Sequence, residues 1–147
     1  MISTLVVIAF FCLFFTVFQG DGISLFATDG CSAFPDGTLE QKSLWAHCCI
    51  THDISYWKGG TYEERLAADQ LLEQCVARAG EPEIAQLMLA GVRVGGSPYF
   101  PTSYRWGYGW PYPRGYKALS EDENEQVQHS LQSLELLVKN ILLQLKQ

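Results

Sequence analysis

Residues 45–57 read WAHCCITHDISYW. Cys48 and Cys49 stand side by side, His47 and His52 are five apart, and Asp53 follows the second histidine. No glycine or proline interrupts the run, so it reads as a helix. Thr38-x-x-Gln41 has the form of a capping box and predicts that the helix opens there; Gly59-Gly60 predicts its end. At about 100° per residue, Cys48, Trp45, His52, Tyr56, Cys49 and Asp53 share an arc of about 140°. His47 falls on the far side with Ile50 and Ile54, which read as an ordinary packing face, while Trp45 and Trp57 read as packing residues. A disulfide anchor, a zinc site and a catalytic helix beside a metal are the three readings to separate.

The following helix narrows the choice. Thr61-x-x-Glu64 is a second capping-box pattern, and the helix it opens runs through EERLAADQLLEQCVARA to Gly80. Only about three residues separate the two helices, which predicts an antiparallel hairpin with an index sum of about 121 across the pair. His52 then faces Asp69, Tyr56 faces Arg65, and a slip of two brings Cys48 opposite Cys75. A histidine held by a buried aspartate is the arrangement of a general base: the carboxylate fixes the tautomer and stabilises the imidazolium. One helix cannot turn His47 and His52 to the same ligand, and a Cys48/Cys49/His52 zinc site would need reduced thiols. Asp53 lies at the mouth of the His52 site, and the loop TDGCSAFPDGT before the helix offers Asp29 and the carbonyl region of Gly30. Oxygen donors around carboxylates favour calcium over zinc.

The 147 residues fit one domain with a real core. Residues 1–20 read as a signal peptide or signal anchor, because residues 2–18 are uncharged and almost continuously apolar. Export, to a secreted or periplasmic location, is therefore expected, with residues 2–18 as a candidate membrane anchor. Removal of that segment would take Cys12 and leave Cys31, Cys48, Cys49 and Cys75, an even set that suggests two disulfides in an exported chain. A bond between the neighbours Cys48 and Cys49 would be a strained ring. Two pairings stay open: Cys31–Cys49 with Cys48–Cys75, or Cys31–Cys48 with Cys49–Cys75. The net charge of −6 argues against nucleic acid as a partner.

Pro82 suits the start of a third, short helix over EIAQLMLA, and residues 91–117 read as a loop. No acid occurs from Ile84 to Ser120, while Arg93, Arg105, Arg114 and Lys117 all lie there. Tyr99, Phe100, Tyr104, Trp106, Tyr108, Trp110, Tyr112 and Tyr116 crowd the same stretch. Set among arginines, such rings suit a lipid headgroup boundary. Alternatively they cover the hairpin as a loop-built core, and that reading is favoured because eight exposed rings invite aggregation. Residues 119–147 form a long C-terminal helix with acids in its first turn. Val127, Leu131, Leu134, Val138, Ile141 and Leu145 recur at alternating four- and three-residue steps, a stripe for packing or self-association.

CCITHDISY, residues 48–56, with Asp69 and a cysteine six residues later, resembles the calcium-dependent secreted phospholipase A2 superfamily, whose helix motif is Cys-Cys-x-x-His-Asp-x-x-x-Tyr. The loop TDGCSAFPDG is similar to that of prokaryotic members, and the likeness covers roughly residues 28–80 of an expected domain over residues 28–118. It implies His52 as the base that activates water, Asp69 as its orienting partner and Tyr56 as a supporting hydrogen-bond partner. It also implies calcium ligation by Asp53, Asp29 and the Gly30 carbonyl, and disulfides Cys31–Cys49 and Cys48–Cys75. The implied reaction is hydrolysis of a phospholipid sn-2 ester at a membrane surface. Two departures stand out: Ser55 and Ala68 occupy positions that are bridged cysteines in many animal members, and Cys31-Ser-Ala-Phe-Pro replaces their glycine-rich loop. No Gly-x-Ser-x-Gly element offers a serine-esterase route. The expected architecture is all-α and disulfide-linked, a phospholipase A2-like two-helix core with a loop-rich aromatic segment and a C-terminal helix. A non-catalytic binding protein on the same scaffold and a membrane-anchored oligomerising protein are the rival readings.

Overall fold

The computed structural model describes residues 22–146; the expected signal or anchor segment lies outside them. Four helices and no strand occur among the described residues: α1 (Ala46–Lys58), α2 (Tyr62–Arg78), α3 (Pro82–Gly95) and α4 (Glu121–Gln144). None is long and apolar enough to cross a membrane.

The hairpin forms where the glycines and the cap predict it. Gly59 and Gly60 take φ of 67° and 141°, values that favour glycine. Thr61 then closes a complete capping box, with Glu64 N–H donating to Thr61 Oγ1 at 3.2 Å and Thr61 N–H to Glu64 Oε2 at 2.7 Å. Gly80, at φ 104°, ends α2, and Pro82 occupies the first turn of α3. α2 packs against both α1 and α3. One core joins loop, α1, α2 and α3 through Cys31, Trp45, Cys48, Cys49, Leu72, Val76, Ala85 and Met88.

The first helix is shorter than its sequence predicts. Thr38 Oγ1 does accept from Gln41 N–H at 3.0 Å, but α1 begins only at Ala46. Trp45 explains the delay. Its backbone N–H donates to Asp36 O at 3.0 Å and its indole to Pro35 O at 2.8 Å, folding residues 35–45 back across the helix start. Ile50 is exposed, so the back of α1 is not the packing face expected of it. The buried side is Cys48, Cys49, His52, Tyr56 and Trp57. α3 in turn outruns its predicted end and reaches Gly95.

Two disulfides fasten α1, Cys31–Cys49 and Cys48–Cys75. One ties it to the preceding loop and the other to α2. Such bonds fit an oxidising compartment.

The aromatic segment divides between cover and surface. Trp106 and Trp110 are buried, whereas Tyr99, Phe100, Tyr104 and Tyr112 are exposed. The buried part terminates α1, whose last carbonyls have no partner within the helix. Gly107 N–H donates to Tyr56 O at 2.6 Å and Gly109 N–H to Trp57 O at 3.0 Å. The indoles of Trp110 and Trp106 donate to Lys58 O at 2.8 Å and Gly60 O at 2.9 Å. α4 starts at a second complete capping box, Ser120 with Glu123. Only its first half is packed: Val127 joins Trp57, Trp110, Ile23, Phe26 and Leu131, while Leu137, Val138, Ile141, Leu142 and Leu145 are exposed.

Candidate active site

His52 and Asp69 meet across the hairpin as the index sum predicts. His52 Nε2 lies 2.9 Å from Asp69 Oδ1, with the histidine 7% exposed and the aspartate 0%. An ionised carboxylate only accepts, so Nε2 carries the proton and donates, leaving Nδ1 as the basic nitrogen. Tyr56, one turn along α1, donates its hydroxyl to the same Oδ1 at 2.7 Å and accepts from Arg65 Nε at 3.1 Å. Burial, followed by the Asp69 charge, pushes the Tyr56 hydroxyl far above its ordinary range, so it stays protonated and able to donate.

Arg93 was not singled out as a site residue by sequence reasoning. Its Nε stands 3.0 Å from Asp69 Oδ2 as an ion pair, off the axis for a hydrogen bond, while its Nη2 donates to Leu66 O at 3.0 Å. Arg65 Nε is 3.9 Å from the same oxygen, and its Nη2 holds Val92 O and Arg93 O at 2.8 Å each. A buried carboxylate with two guanidiniums beside it is compensated as an anion. The only signal in the chain was the run of arginines in an acid-free stretch, which does not say which acid they serve.

His52 opens onto a cavity of about 260 Å³ whose lining includes Phe34, Cys49, Leu72, Met88 and Val92. Most of that lining is apolar; His52, Asp53, Tyr56 and Tyr104 are its ionisable members. A second cavity of about 350 Å³ adjoins it, sharing Ser32, Asp53 and Tyr104. There Asp53 Oδ2 accepts from Thr28 Oγ1 at 2.6 Å, and Thr28 Oγ1 accepts from Gly30 N–H at 3.1 Å. Asp29 Oδ1 accepts from Ser32 Oγ at 2.9 Å. Gly30 takes φ 78°, and Asp36 Oδ1, against which any side chain at 30 would collide, accepts from Cys31 N–H at 2.9 Å. The loop thus brings Asp29, Gly30 and Asp53 to one region, through Thr28 and Asp36, two contacts without a signal in the sequence.

Burial pushes the Asp53 carboxyl above the usual range; Thr28 and His52 oppose the shift and the Asp29 charge adds to it. None of the chain's ten lysines and arginines lines either cavity. Two neighbouring carboxylates with no lysine or arginine beside them, amid the hydroxyls of Thr28 and Ser32, are oxygen donors of the kind a hard divalent cation such as calcium takes.

A zinc reading fails on the sulfurs. His47 Nε2 lies 3.5 Å from Cys48 Sγ and 3.6 Å from Cys75 Sγ, but those two are bonded to each other. Cys49 is bonded to Cys31. No family model matches the chain, and neither a curated protein nor a solved structure does.

Proposed function

We propose that this chain is a calcium-dependent hydrolase of phospholipid sn-2 acyl esters, of the phospholipase A2 type. The observation that carries it is the His52–Asp69 pair at 2.9 Å on the wall of an apolar cavity. Nδ1 of His52 takes a proton from water as the water oxygen attacks the ester carbonyl. When the bond to the glycerol oxygen breaks, the imidazolium returns the proton to that oxygen, so the histidine ends as it began. Asp69 stabilises the imidazolium and fixes the ring; Tyr56 and Arg93 hold Asp69 in turn. Leu72, Met88 and Phe34 offer the acyl chain an apolar wall. Asp53, Asp29 and the Gly30 carbonyl would hold calcium, which when bound supplies Lewis-acid stabilisation to the ester and phosphate oxygens. Export, with residues 2–18 as signal or anchor, belongs to the same proposal and is supported by the two disulfides.

The test uses labelled phospholipid vesicles with calcium, with chelator, and with His52→Ala. Release of fatty acid only by the unaltered protein in calcium supports the hydrolase. Calcium binding by calorimetry without any release favours a binding protein on this scaffold.

A further inference from the structure

His47 plays no part in the proposed reaction, and its exposed ring lies against two sulfurs at once. Its Nε2 is 3.5 Å from Cys48 Sγ on the same helix and 3.6 Å from Cys75 Sγ on α2. Around tetrahedral zinc, with Zn–S about 2.3 Å and Zn–N about 2.0–2.1 Å, a sulfur and a nitrogen ligand stand about 3.5–3.6 Å apart. Both nitrogen-to-sulfur separations already have the value that a zinc ion imposes. The two sulfurs are bonded to each other; once reduced they would part to about 3.8 Å, a movement within reach of the cysteine side-chain torsions. The donors are well placed for it. Cys48, Leu72 and Val76 are buried together with Cys75 packed against them, while Cys49 is turned away to Cys31.

Disulfides close after synthesis, so every copy of the chain passes through a thiol form. In that form two thiolates and an imidazole make a soft donor set, which zinc takes and calcium does not. His47 is exposed and Cys75 half-buried, so the ion enters from solvent and water can fill its fourth position. We propose that in its thiol form the chain holds a zinc ion between α1 and α2 on His47, Cys48 and Cys75, and that oxidation of the two sulfurs expels it. Binding displaces one proton from each thiol. A small-molecule disulfide then takes two electrons from the thiolates: the Cys48–Cys75 bond forms, the oxidant leaves as two thiolates, and zinc is released. Until then the metal keeps Cys75 beside Cys48 and away from Cys49, which is the pairing of the folded chain.

The test uses the full chain reduced by a water-soluble phosphine, which with one water turns each disulfide into two thiols and a phosphine oxide. Phosphine is removed without air, and zinc or cobalt(II) is titrated in. The reduced protein should bind one zinc beyond any taken up by the disulfide-closed protein, and zinc should raise its urea midpoint or its helix content by circular dichroism. Cobalt(II) in the same place should show the charge-transfer absorption of thiolate ligands. His47→Ala and Cys75→Ala should each weaken zinc at least about tenfold, and Cys31→Ala should change it less than about threefold. No more zinc on the reduced protein than on the closed one overturns the site. Equal loss in Cys31→Ala and His47→Ala, or no loss in His47→Ala, overturns it as well. None of these readouts involves fatty-acid release, so they decide the metal site apart from the hydrolase.

Discussion

Replacing Asp69 with asparagine removes one charge and changes almost no volume, at a side chain with no exposure. His52 Nε2, Tyr56 Oη and Arg93 Nε all depend on that carboxylate, at 2.9, 2.7 and 3.0 Å. An asparagine can turn its amide N–H toward Nε2, which moves the ring proton to Nδ1, the nitrogen that receives the proton of water in the proposed reaction. Loss of the correct tautomer and of imidazolium stabilisation corresponds to about 10²–10⁴-fold in kcat, or roughly 3–5 kcal/mol at about 1.4 kcal/mol per tenfold. Stability falls too, because Arg93 and Arg65 lose their counter-ion; breaking a buried pair costs about 3–5 kcal/mol, and retained hydrogen bonds put asparagine toward the lower end. The two effects are read apart by a urea melt followed by circular dichroism and by fatty-acid release per folded molecule in saturating calcium. Hydrolysis by folded Asp69→Asn within tenfold of the unaltered protein would refute the assignment of Asp69 as the group that orients the base.

Three further outcomes follow from the same contacts. Gly96→Ala would drive a methyl group into the Tyr56 ring and hydroxyl, so a stability loss of about 1–3 kcal/mol is expected, with reduced kcat as Tyr56 leaves Asp69, read by melting and by vesicle hydrolysis. Glu123, hydrogen-bonded first by Arg114 and also by Ser120 and Lys117, has its carboxyl lowered from 4.5 to about 2. A depressed carboxylate stabilises above its unfolded value and loses that contribution as pH falls. Glu123→Gln should accordingly melt lower than the unaltered protein at pH 7, by an amount worth about 1–2 kcal/mol after allowance for screening at its partly exposed partner Lys117, and the gap should close between 4.5 and about 2. The four- and three-residue steps of α4 continue from Val127 and Leu131, which are already packed, into exposed Val138, Ile141 and Leu145, so this bare stripe is where the expected self-association is tested. Sedimentation should show self-association by the unaltered protein and its loss in Val138→Asp/Ile141→Asp.

Much of the hairpin was legible because its signals are local. Two glycines, one threonine and one glutamate fix the turn, and a turn of known length fixes which residues oppose each other, so His52 and Asp69 could be paired from spacing alone. Other features depend on distant partners. The late start of α1 follows from Trp45 bonding to Pro35 and Asp36, a contact with no periodic signature. α3 runs past Gly91 because that bare position lies against the Phe34 ring, where an added Cβ would come within 3.2 Å; glycine there reflects packing and not the end of the helix. Arg93 reaches Asp69 only because α3 continues that far. The eight rings of residues 99–116 share no single fate for a similar reason. Those whose indoles find the open carbonyls at the end of α1 turn inward, and Tyr99, Phe100, Tyr104 and Tyr112 remain outside.

The adjacent cysteines of α1 each lead to a different piece of the proposed machinery, one to the loop that bears Asp29 and Gly30, the other to the helix that bears Asp69. A newly made chain still in its thiol form would have neither attachment. Without a bound metal, nothing covalent would then register the loop and α2 on α1, and the relative placement of Asp29, Gly30 and Asp69 would be left to packing and hydrogen bonds.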